Sequence, residues 1–171
     1  MKSGLETSSK EKMYEVVSSY ELITELESQD EPEKVWSNIP SLDMYTEGFV
    51  PGELIIISGL TKHGKTLLAQ SLTIEFIKQC WYPLWFSFEV PAKQFLRSFT
   101  DLPLFYLPRK LKANAMVWLA NRMQESYEKF RTRIIFLDHL HYLFDIARTR
   151  SPSIEIGPVS RQLKAIAVQK E

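Results

Sequence analysis

One stretch, IIISGLTKHGKT at residues 55–66, limits the fold of this 171-residue chain more than any other. With Leu54 it opens as a continuous apolar run, the pattern of a strand covered on both faces. The run stops at a glycine, passes through a polar loop and reaches Gly64-Lys65-Thr66. Gly59 to Thr66 therefore fit the spacing G-x-x-x-x-G-K-[ST], between an expected strand and an expected helix. Glycines at those positions let successive backbone N–H groups turn toward one point. The start of the following helix adds free N–H groups and the positive end of its dipole. Such a nest suits phosphate anions. Lys65 is placed to reach the β- and γ-phosphates, and the Thr66 hydroxyl to ligate Mg²⁺. Gly59, Lys62, His63, Gly64, Lys65, Thr66 and Leu67 form the candidate nucleotide-binding set, with Lys62 and His63 at the variable positions of the loop.

Phosphate chemistry of this kind needs an acid at the end of a second buried strand to hold hydrated magnesium. The run RIIFLD supplies Asp138. Many ATPases place a glutamate directly after that aspartate to orient the attacking water, but here His139 follows. The run WFSFEV offers Glu89 instead, at another strand end, where strand ends converge on a bound phosphate. Glu89 is thus the candidate base and, with Lys65, the candidate catalytic pair. His139 and His141 alternate near the strand end, point to opposite faces on that reading, and suit no common metal site.

The rest of the chain alternates strand-like and helix-like segments. Helices are expected over residues 12–29, 65–80, 92–99, 112–130 and 159–171, and strands over 54–57, 83–90 and 133–140. The segment ARTRSPSIEIGP reads as a polar loop. This alternation predicts an α/β fold with a mostly parallel sheet flanked by helices. Residues 1–34 carry nine acids against four lysines, and the remainder balances them to a net charge of zero. The expected organisation is an acidic arm with a linker helix over 1–36, followed by one domain over 37–171. The one cysteine, Cys80, excludes an internal disulfide and a cysteine-rich zinc site. No run is long enough to span a membrane and no signal-peptide core begins the chain, so a cytoplasmic protein is expected.

Taken together, SLDMYTEGFVPGELIIISGLTKHGKTLLAQSL, WFSFEV, IIFLDHLHYL and VSRQLKAIA resemble the RecA-like motor domain of DnaB-type and Twinkle-type replicative helicases, over about residues 37–169. The phosphate loop is shared with a very large superfamily. The lead-in, the Ser-Phe-Glu and the Ser-Arg-Gln-Leu-Lys-Ala-Ile-Ala are more specific. The resemblance implies a P-loop NTPase core that binds ATP with Mg²⁺ through Lys65, Thr66 and Asp138. It implies Glu89 as catalytic glutamate, and a hexameric ring of identical subunits moving on single-stranded DNA. The match departs from the family in three ways. The segment after Glu89 is short, and His141 stands where glutamine is common. The chain also ends before the strand that bears a polar sensor and before the basic finger that acts on a neighbour's ATP. The resemblance places that strand between the one bearing Gly59 and the one bearing Asp138, so a gap is expected at the centre of the sheet. Two other readings stay open: an ATP-dependent switch or recombination mediator of the RadA and KaiC groups, and an inactive nucleotide-binding module.

Residues 103–150 hold nine basic groups against four acids. Arg148 and Arg150, in a loop beyond the Asp138 strand, are the candidates for contact with nucleic-acid phosphates. No aromatic platform is interleaved with basic residues, so recognition by base stacking is not expected.

Overall fold

Two apolar runs far apart in sequence meet as parallel strands. β1 (Leu84–Ser87) pairs with β2 (Ile135–Asp138) in the register Leu84↔Ile135 to Ser87↔Asp138. The computed structural model describes residues 16–112, 116–143 and 152–168. It divides the chain into a unit of residues 1–32 and a unit of residues 33–171.

In the first unit, α1 (Ser19–Glu27) begins with a capping box. The Ser18 hydroxyl accepts the Glu21 N–H, and the Glu21 carboxylate accepts the Ser18 N–H in return. Those bonds from Ser18 hold the Glu21 carboxyl below the usual range. The apolar stripe Tyr20, Ile23 and Leu26 is exposed.

In the second unit the elements run α2 (Pro40–Thr46), α3 (Lys65–Lys78), β1, α4 (Ala92–Arg97), α5 (Met116–Phe130), β2, a 3-10 turn (Leu140–Leu143) and α6 (Pro152–Val168). Side chains of β1 alternate between two cores, as a period of two demands. Leu84 and Phe86 pack with Leu119 and Met123 of α5 and Leu163 of α6. Trp85 points the other way, into Ala69 of α3, Phe95 of α4, Phe99 and Phe105. The small parallel sheet thus has helices on both faces, a mixed α/β arrangement. Tyr106 extends the sheet by one parallel bridge to Leu84 on the far side of β1. None of the helices among the described residues is long and apolar enough to cross a membrane.

Three differences from the sequence expectation matter. Residues 54–57 join no ladder, and Ile55 and Ile56 are 54% and 62% exposed. A slot of about 470 Å³ separates this segment from β2. Among the described residues β2 pairs with β1 alone, so an apolar run that suits a central strand has nothing to pair with. Second, α6 starts at Pro152, inside the segment expected as loop; proline is tolerated in a first helical turn because its missing N–H has no helical partner there. Third, the strand ends at Asp138 and a 3-10 turn follows. The strand-like alternation expected of His139 and His141 does not apply, and the His141 side chain lies outside the described residues.

Candidate functional site

The turn at Pro51-Gly52, where Gly52 has φ 80°, sends the chain toward the loop of residues 59–64. α6 fixes that turn through Lys164, whose Nζ donates to the Gly52 carbonyl at 2.7 Å. At the far end of the loop, Gly64 caps α3 with φ 82° and ψ 14°, in the left-handed region. A side chain there would meet nothing within 4 Å, so the backbone angle alone calls for glycine. Gly64→Ala is therefore expected to destabilise the chain by about 1–2 kcal/mol. A urea melt measures this, and a neutral result would mean that the loop does not hold this angle. Lys62 also adopts positive φ, at 66°, which marks the loop as tightly wound.

Lys65, the first residue of α3, folds back over the loop. Its Nζ donates to the carbonyls of Gly59 and Leu60, both at 2.9 Å. Two of the three ammonium donors thus brace the loop, and one is left for a ligand. The first amides of α3, from Lys65 to Leu67, have no partner in the helix itself. His63 enters the loop through its own N–H, which donates to the Leu60 carbonyl at 3.3 Å.

Thr66 reaches across the molecule. Its hydroxyl donates to Asp138 Oδ2 at 2.8 Å, between residues 72 apart in sequence. β1 is tied to the same point: the Asp138 carbonyl accepts the N–H groups of Phe88 and Glu89 at 2.6 and 3.3 Å. The peptide after β1 is therefore turned over the end of β2. Glu89 lands beside His139, with Oε2 3.0 Å from Nδ1. With its proton on Nδ1, the ring donates to the carboxylate and orients it. Glu89, Asp138 and His139 each bring one ligand atom within 4.8 Å of the others.

The structure thus gathers Lys65, Thr66, Asp138 and Glu89 from three separate segments. Gly59, Lys62, His63, Gly64 and Leu67 lie in the same loop and helix start. Arg148 and Arg150 lie outside the described residues. The contact of His139 with Glu89 was missed in the sequence. The two are 50 residues apart, and only the absence of glutamate after Asp138 hinted that this neighbour had another task.

A hydroxyl and a carboxylate held together are hard oxygen donors, the set that Mg²⁺ prefers while keeping several of its waters. Thr66 and Asp138 fit that ion better than the mixed set that includes the His139 nitrogen. Comparison of the sequence with protein-family models and with curated proteins gave no match.

Proposed function

We propose that this chain is the ATP-binding and hydrolysing domain of a DnaB-like DNA helicase, with a RecA-like P-loop core. It works within a hexameric ring that couples hydrolysis to movement on single-stranded DNA. The observation that carries this reading is the 2.8 Å contact between Thr66 and Asp138, next to a loop that Lys65 braces from the start of α3. A chance G-x-x-x-x-G-K-T in a polar turn has no reason to deliver its hydroxyl to the acid at the end of another strand.

In this reading the triphosphate lies against the amides at the start of α3, and Lys65 pairs with its β- and γ-oxygens. Thr66 and Asp138 would hold Mg²⁺, which would supply charge neutralisation for phosphoryl transfer. Glu89 orients a water and takes its proton as the water attacks the γ-phosphorus in line with the leaving oxygen. His139 fixes the carboxylate for that task.

A second reading, nucleotide binding without turnover, is favoured by the unpaired segment 54–57, which leads directly into the loop. Calorimetry and ATPase assays separate the two. ATP with Mg²⁺ is expected to bind the wild-type chain with measurable heat and Lys65→Ala with far less. Hydrolysis is expected to rise on addition of single-stranded DNA. Binding without hydrolysis would select the second reading. No heat from folded protein would remove both.

A further inference from the structure

The 3-10 turn after β2 sorts its side chains by threes, because residues three apart eclipse one another in such a turn. Leu140 and Leu143 share one side and pack on the core formed by Phe86, Leu119 and Leu163. His139, just before the turn, and Tyr142 share another. The Tyr142 N–H donates to the His139 carbonyl at 3.3 Å, and the two ring centroids are 5.1 Å apart with the planes tilted by 51°. A row of rings meets the same tyrosine from the strand beside it. Phe86 in β1 and Phe88 just beyond it are two residues apart and face the same way. Their rings stack at 6.3 Å and 12°. Tyr142 continues the row, stacked on Phe88 at 5.9 Å and 13°. Phe86 is fully buried and Tyr142 is exposed, so the row runs from core to surface. It ends against the imidazole whose Nδ1 is 3.0 Å from Glu89 Oε2.

We propose that Tyr142 is a positioning residue for Glu89: it holds the His139 imidazole so that Nδ1 stays aimed at the carboxylate. Glu89 needs such a hold. Its backbone is fixed by its N–H on the Asp138 carbonyl at 3.3 Å, but its side chain is 47% exposed. A long side chain in that setting keeps its rotamer freedom unless a partner removes it. His139 is that partner, yet its own side chain is 37% exposed, and a ring so placed turns freely unless a neighbour stops it. Tyr142 is the neighbour, and Phe88 and Phe86 tie it to the close-packed core. Each contact in this series is made by a ring, so phenylalanine should serve in place of the tyrosine. The effect on turnover rests on the proposed function; the placement of the imidazole does not.

Two measurements on the full 171-residue chain test this. Nitrogen NMR of labelled histidine rings, at a pH where the imidazole is neutral, reads which ring nitrogen carries the proton; His139→Gln assigns the signals. The Nδ1–H form is expected to dominate in the wild type and in Tyr142→Phe, and to give way to a mixture of tautomers in Tyr142→Ala. Single-turnover ATPase assays give the second readout. Tyr142→Ala is expected to lower the rate by roughly 10- to 100-fold, the scale of a small misplacement of a reacting group, and to leave ATP affinity within about threefold. Tyr142→Phe is expected to stay within about twofold of wild type in both. In a Glu89→Gln background, Tyr142→Ala should cost nothing further, because residues that act as a unit do not add. A further loss in that background would mean a general structural role and would overturn the proposal. So would an unchanged rate or a surviving Nδ1–H form in Tyr142→Ala, or a loss in Tyr142→Phe as large as in Tyr142→Ala. If Tyr142→Ala fails to fold, Phe88→Leu breaks the row one ring further in while keeping apolar bulk, and is expected to give the same two changes. If the folded wild type hydrolyses no ATP, the proposed function falls and the NMR comparison alone decides the placement.

Discussion

On the proposed function, Glu89→Gln is expected to lower ATP turnover by about 10²- to 10⁴-fold, the range for loss of a positioned general base, and to leave the affinity for ATP within about threefold. The substitution keeps the size of the side chain and its ability to hydrogen bond to His139 Nδ1, now 3.0 Å away. What it removes is the capacity to accept a proton. Glu89 is held by its own N–H on the Asp138 carbonyl, outside the loop of residues 59–64 proposed to bind phosphate. In the proposed mechanism a carboxylate in that place would act on water and contribute little to holding the nucleotide. Single-turnover ATPase rates with parallel calorimetry check this. Equal loss of turnover and binding would show that Glu89 supports the loop, and the assignment of the base would fall. Unchanged turnover would move the base elsewhere, and His139 would be the next group to test.

The parts of this site that are local in sequence are legible in the sequence alone. The glycine spacing from Gly59 to Gly64 predicts a wound loop followed by a helix, and α3 begins at Lys65. Apolar runs ending in an acid predict strands ending at a site; β2 ends at Asp138, and Glu89 follows closely after β1. These inferences need only the steric freedom of glycine and the period of a covered strand. What failed depended on partners. The run at residues 54–57 has the composition of a central strand, but composition states a preference and pairing requires a neighbour. With a slot where the neighbour would be, the same isoleucines are exposed. α2 escaped notice because its seven residues hold too little periodicity to read. Its place is set by a contact: the Asp43 carboxylate accepts both the N–H and the hydroxyl of Ser37, at 2.9 and 2.6 Å. Strand alternation predicts opposite faces for His139 and His141, but the chain enters a 3-10 turn after β2.

The sheet itself stands on Trp85, and its removal is the largest stability effect expected. The side chain is fully buried. It stacks on Phe136 of β2 with ring centroids 4.6 Å apart and packs against Phe95 of α4 at 4.7 Å. Its indole N–H donates to the Thr73 hydroxyl of α3 at 2.9 Å, and that hydroxyl donates onward to the Ala69 carbonyl at 2.8 Å. One residue therefore joins both strands to the helix that carries Lys65 and Thr66. Trp85→Ala is expected to cost about 3–5 kcal/mol, the usual range for emptying an aromatic site. Native domains hold only about 5–15 kcal/mol in total, so the variant should be largely unfolded or close to it, and the site should go with the sheet. Trp85→Phe separates packing from the hydrogen bond. It keeps a ring between Phe136 and Phe95, and Thr73 still has the Ala69 carbonyl, so only the net worth of one buried bond is lost, about 0.5–1.5 kcal/mol, plus a small void. Urea melts of the two variants give the comparison. A large loss in Trp85→Ala with a small one in Trp85→Phe places the anchor in ring packing between strand and helix. Equal losses would place it in the indole N–H, and Thr73→Val would then have to reproduce the damage.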